Sequence, residues 1–137
     1  MIVDEVNNVL KLDSENDQIK LIGELTDEFR SGRDPSQLLG LIETDDKDIL
    51  DIALYIIGEI NISSEDILQN IIFRLVELSA HENSLIRYKV LLNVVSFAER
   101  INSRLLKDFY IKMSNDPDID VRETAHELLH NLRSAKY

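Results

Sequence analysis

One apolar pattern recurs three times along this chain, and it constrains the fold more than any single motif. Ile49, Ala53, Ile56, Ile57 and Ile60 fall at three- and four-residue spacing, which is one face of a helix. The spacing returns 37 residues later as Ile86, Val90, Asn93, Val94 and Phe97, and 35 residues after that as Val121, Ala125, Leu128, Leu129 and Leu132. A second apolar helix precedes each at matching offset: Leu38 and Leu41, then Leu75 and Leu78, then Tyr110 and Met113. Helix pairs repeating at roughly 34 to 47 residues mark an α-solenoid, in which no unit buries its apolar face alone and stacking supplies the core. Strict apolar–polar alternation is almost absent, so the pattern predicts an all-α chain of seven to eight helices, a single domain over residues 1–137.

With four Gly and two Pro in 137 residues, helix ends have to be set mainly by polar caps. Asp13-Ser14 precedes a helix with Ile19, Ile22, Leu25 and Phe29 on one face, ending at Ser31-Gly32. Asp34-Pro35 opens a short helix through Leu41 with Pro at its first position, and Asp46 or Asp48 caps the next. Ser63 precedes Glu65 and Asp66, acids suited to the first turn of a helix running to about Ala80. Asn102 or Ser103 caps the helix carrying Leu105, Leu106, Phe109, Tyr110 and Met113, and Asn115-Asp116-Pro117 breaks it. Residues 1–33 read as an irregular N-terminal helix or pair, and 36–133 as three repeats.

The last repeat carries Asp116-Pro117, then Val121-Arg122, then Ala125, and Ile86-Arg87 with Val90 echoes it; the first keeps Ala53 but has Leu50 in place of the Arg. This register resembles the HEAT family, and armadillo-like packing is not distinguished from it at this level. The resemblance implies a right-handed superhelix of helix hairpins that binds protein, with Arg87 and Arg122 holding repeat geometry through carboxylates such as Asp116 or Asp120. It also implies that the second helices line the concave side. There, Asp48, Asp51, Ile52, Tyr55 and Glu59 in the first unit, Tyr88, Lys89 and Leu92 in the second, and Glu123, Thr124 and Glu127 in the third become candidate contacts.

Residues 126–130 read His-Glu-Leu-Leu-His, a literal H-E-x-x-H. On a helix that spacing can hold zinc on two imidazoles with Glu127 as general base. The seven residues after His130 offer no third ligand, and His81 sits upstream in an expected loop. The repeat register aligns His126 with Leu54 and Leu91, and His130 with Gly58 and Val95, so polar residues there also suit a terminal cap. Zinc hydrolysis therefore stays a remote alternative, and no metal ligands are assigned. With no glycine-rich phosphate loop, no Cys and no nucleophile elbow, neither a catalytic residue nor a cofactor is expected.

Charge supplies the sign of the partner. The chain holds 26 acidic and 15 basic residues, a net −11, and −8 of it falls in the first 48 residues. Nucleic-acid affinity comes from cations displacing condensed counterions, so that class of partner is excluded, and a HEAT-like DNA glycosylase with it. The opening MIVDEVNNVL has neither the basic run of a signal peptide nor an apolar run for a membrane span, which reads as cytoplasmic. A broad acidic field speeds encounter with a basic protein. Asp45, Asp46, Asp48, Asp51, Tyr55, Glu59, Tyr88 and Glu123 are the expected partner-binding residues, the tyrosines as amphipathic anchors. In size, charge and architecture the chain resembles the immunity proteins of bacterial toxin systems, including contact-dependent inhibition, which implies a basic nuclease-type toxin as partner. A structural or regulatory adaptor is the alternative.

Overall fold

The computed structural model describes residues 2–134; Met1 and residues 135–137, the two ends of the expected single domain, lie outside the described residues. Among the described residues there are eight α-helices and no strand. They are α1 (Ile2–Leu10), α2 (Glu15–Arg30), α3 (Gln37–Ile42), α4 (Lys47–Glu59), α5 (Glu65–Leu78), α6 (Ser84–Ser96), α7 (Ser103–Met113) and α8 (Ile119–Ser134), with a short 3-10 turn at Ala98–Arg100. The chain divides into two compact units, Met1–Arg74 and Leu75–Tyr137.

In the first unit α4 packs against α1, α2 and α3. Leu50, Ala53, Ile56 and Ile57 are fully buried, together with Val6 of α1 and Leu38, Leu41 and Ile42 of α3. Burial of each such side chain contributes roughly 1.5–3 kcal/mol. Ile52 is buried as well, so it is a core residue and not the surface contact that the resemblance implied. The α2–α3 turn is drawn in by Arg33. Gly32 ends α2 at a φ of 117°, a left-handed conformation that favours glycine. The next residue, Arg33, pairs with Glu5 of α1, reaches Glu28 Oε1 at 3.3 Å, donates to Gln37 Oε1 at 2.9 Å and lies 5.2 Å from the Phe29 ring centroid.

Two helix starts differ from the sequence expectation. Pro35 lies in a turn and α3 begins at Gln37, because the Asp34 carboxylate takes the Ser36 N–H at 3.0 Å. Gln37, Leu38 and Leu39 then donate to the carbonyls three residues back, a tight entry that shortens the helix. The α5 cap is Ser64, whose Oγ accepts from Ile67 N at 3.4 Å, and not Ser63.

In the second unit α8 packs against both α6 and α7. Val121 and Ala125 are fully buried, with Val90 and Leu91 of α6 and Leu106, Phe109, Tyr110 and Met113 of α7 also in the core. The hairpin turns are closed by arginine. Arg87 Nη1 donates to the carbonyls of His81 and Glu82, six and five residues back, at 2.8 and 3.1 Å. Arg122 Nη1 does the same to Asp116 and Pro117, also six and five back, at 3.0 and 3.2 Å. Arg87 also grips the Asp116 carboxylate with two bonds, from Nε to Oδ2 at 2.8 Å and from Nη2 to Oδ1 at 3.0 Å. Asp120, the other carboxylate expected in this role, is exposed. In the first unit Leu50 occupies the arginine's place and is buried. There Arg74 of α5 reaches across, its Nε to the Ile42 carbonyl at 2.5 Å and its Nη2 to the Thr44 carbonyl at 3.2 Å.

The Arg87–Asp116 pair is nearly enclosed, its side chains 12% and 6% exposed. Burial alone would raise the Asp116 carboxyl, but hydrogen bonds from Arg87 and the Asp118 N–H, with the charges of Arg87 and Arg122, outweigh it and hold the group below its ordinary value. A carboxyl lowered in the folded state stabilises above its unfolded pKa and loses that contribution as pH falls through the folded value. Asp116→Ala is therefore expected to cost about 3–5 kcal/mol at pH 7, and the deficit relative to the wild type should shrink below about pH 4. Urea midpoints at pH 7 and pH 3 check this; an equal deficit at both would contradict it.

Candidate functional site

Opposite its buried face, α4 carries Asp48, Asp51, Tyr55 and Glu59 outward, with Tyr55 52% exposed. These residues are spaced three to four apart, so they form one stripe down the helix. The six first-unit residues expected from sequence divide by what their side chains touch. The Asp46 carboxylate is the α4 cap, accepting from Asp48 N at 2.9 Å and Ile49 N at 3.2 Å. Glu59 is bridged to α2: Arg30 Nη2 reaches its Oε2 at 3.2 Å and Arg30 Nε its backbone carbonyl, also at 3.2 Å. The Asp45 carboxylate lies 3.4 Å from Arg74 Nη2, with its side chain 87% exposed. Asp48, Asp51 and Tyr55 make up the outward part of the stripe, an aromatic ring below two carboxylates.

In the second unit Tyr88 is half-buried and Glu123 exposed. Tyr88 lines a groove of about 300 Å³ with Ser84 and Leu85 of α6, Thr124 and Asp120 of α8, and Asp118 just before α8. Sequence reasoning named Tyr88 and Thr124 as contacts but missed Ser84, Leu85, Asp118 and Asp120. The missing signal was present: α6 has apolar residues off its core face, and Leu85 and Leu92 are 56% and 45% exposed. Lys89, on the same helix, has its ammonium pKa pulled down by burial. Glu123 stands one residue before Thr124 but does not line the groove.

The H-E-x-x-H residues His126, Glu127 and His130 lie on the exposed side of α8, whose opposite side buries Val121, Ala125 and Leu129. His81 is engaged in its turn, its Nδ1 accepting from Asn83 N at 3.0 Å. Among the described residues no group of three or more His, Asp or Glu is placed to hold a metal ion. No helix among them is long and apolar enough to cross a membrane. No family model, curated protein or solved structure matches the chain.

The capping geometry separates structural from outward carboxylates in a measurable way. Asp46→Ala should lower stability by about 1 kcal/mol through loss of the cap, whereas Asp48→Asn should stay within about 0.5 kcal/mol of the wild type. Denaturant midpoints compare them directly. Titrating zinc into the chain by calorimetry should give no stoichiometric micromolar binding, and a one-to-one isotherm lost in His126→Ala would reverse that expectation.

Proposed function

We propose that this chain is a non-enzymatic protein-binding module of HEAT-like helix hairpins, acting in the cytoplasm as an immunity protein that neutralises a basic, nuclease-type toxin. The observation that carries the reading is the partition of charge. Arg30, Arg33, Arg74, Arg87 and Arg122 are turned onto carboxylates and carbonyls of the chain itself. Asp48, Asp51, Asp120, Glu123 and Glu127 face outward. A surface composed this way repels phosphate and attracts the cationic groove with which a nuclease holds its substrate.

Support for the hairpin repeat comes from the arginines. Arg87 and Arg122 make the same pair of bonds, to the carbonyls six and five residues back, 35 residues apart in the chain. Chance apolar periodicity in an ordinary bundle gives no reason for that match. In the first hairpin Thr44, six residues before Leu50, keeps its carbonyl bonded through Arg74.

In this reading the inhibitor's carboxylates occupy the positions of substrate phosphates, and the tyrosines supply buried anchor area. Association should be fast and should slow steeply with salt. Lysine substitution of both Asp48 and Asp51 should lower the association rate with a basic nuclease toxin that the chain neutralises about tenfold or more at low salt. The same change at Glu99 and Asp108 should alter it less than threefold. Stopped-flow association and residual nuclease activity are the readouts. Equal effects from both pairs would make the acidity a solubility device, and binding without loss of nuclease activity would make the chain an adaptor.

A further inference from the structure

We propose that the groove between the first turns of α6 and α8 is a receptor for a single arginine side chain of a partner protein, an inference that rests on the reading of a basic partner above. Its volume, about 300 Å³, lies at the small end of ligand pockets and suits one long side chain. Its lining divides into an apolar part, Leu85 and the half-buried Tyr88, and a polar part, Asp118, Asp120, Ser84 and Thr124. Among the described residues no lining residue is cationic.

Helix starts ordinarily favour anions, because their first N–H groups lack intrahelical acceptors. Here four of those donors are already committed. Leu85 N and Ile86 N donate to Asn83 Oδ1 at 3.0 and 3.2 Å, Val121 N donates to Asp118 Oδ2 at 3.1 Å, and Asp118 N donates to Asp116 Oδ1 at 2.9 Å. A phosphate entering the groove would meet two carboxylates and these occupied amides, so the groove selects a cation.

The form of the lining selects among cations. A lysine ammonium is a compact, strongly hydrated charge, which an aromatic ring and a leucine desolvate without replacing its water. A guanidinium is planar and weakly hydrated, stacks on an aromatic face, and offers a fork of N–H donors to a carboxylate. Tyr88 with Leu85 would take its plane and methylenes, and Asp120, the exposed carboxylate of the lining, would take its donors. Asp118 is held as a cap and contributes charge only.

The test is an amide-resolved NMR titration of the full chain with Nα-acetyl-argininamide, its lysine and citrulline counterparts, and inorganic phosphate. The expected result is saturable shifts confined to Ser84, Leu85, Tyr88, Asp120 and Thr124 with the arginine probe, and binding tenfold or more weaker with citrulline and with lysine. Asp120→Asn and Tyr88→Leu should each abolish saturation while leaving the helical circular dichroism of the wild type. Equal response to citrulline, saturation by phosphate, or arginine shifts scattered over the acidic surface would each overturn the proposal. Neutralisation of a basic toxin without any argininamide response would sink the groove alone. A saturable argininamide response in a chain that neutralises no basic protein would sink the immunity reading and leave the receptor in place.

Discussion

Turns between helices leave backbone carbonyls that neither helix satisfies, and the eight helices among the described residues create many such turns. The arginine at each hairpin is the interaction on which the rest depends. Arg87 and Arg122 reach back over their own turns to carbonyls that lie outside both flanking helices. Arg87 then extends to Asp116, whose own carbonyl is held by Arg122, so two successive turns are fastened through one residue. Because the guanidinium is a rigid fork with several donors, Arg87 holds two turn carbonyls and the Asp116 carboxylate at once. Lysine could satisfy one carbonyl but not the carboxylate and two carbonyls together.

That use of the basic residues has an electrostatic result at the surface. Arg122 bonds carbonyls and cancels no carboxylate, whereas Arg87 and Arg74 also meet Asp116 and Asp45. Because acids outnumber bases by 26 to 15, many carboxylates have no arginine to meet, and the outward potential is negative. In the first unit exposed carboxylates line the stripe on α4. Its opposite face holds Leu50, Ala53, Ile56 and Ile57 out of water, so Asp48, Asp51 and Tyr55 fall on the exposed side of the helix.

Most helices were legible because their signals are local. The Asn102 and Asp46 caps, the apolar spacing of α4 and the break at Asp116-Pro117 each act within a few residues, and all appear where the sequence places them. What was not legible depends on distant partners. Ile19 and Leu105 fall on expected apolar faces but are 60% and 64% exposed, since periodicity sets a face and only a neighbouring element covers it. Asn93 continues the core face as a buried amide, its Nδ2 donating to the Lys89 carbonyl at 2.9 Å, a bond within its own helix that apolar spacing does not encode. Arg74 standing in at the turn where Leu50 replaces an arginine could not be read from the repeat register, because it comes from another helix 30 residues from the Thr44 carbonyl it binds. The groove was half visible: Tyr88 and Thr124 were named, but the repeat register makes α6 and α8 equivalent without showing that their first turns meet, which is what adds Leu85 and Asp120.

A net charge is a sum, and the sum hides a division of labour. Asp46 and Asp118 terminate helices, Asp116 joins two turns, and Glu5 and Glu59 brace helices through Arg33 and Arg30. Those carboxylates are spent on the fold, and replacing them tests stability before it tests recognition. The H-E-x-x-H spacing follows from the same logic. On a helix whose buried face runs through Val121, Ala125 and Leu129, the positions one after each of the last two fall together on the outer face, so His126 and His130 come into register because the core sets their spacing. The proposed recognition draws on residues that the fold leaves exposed. In the first unit that is an aromatic residue beside two outward aspartates. In the second it is a groove at which Leu85, Ile86, Asp118 and Val121 already donate their amides to side-chain caps and whose outward carboxylate belongs to Asp120.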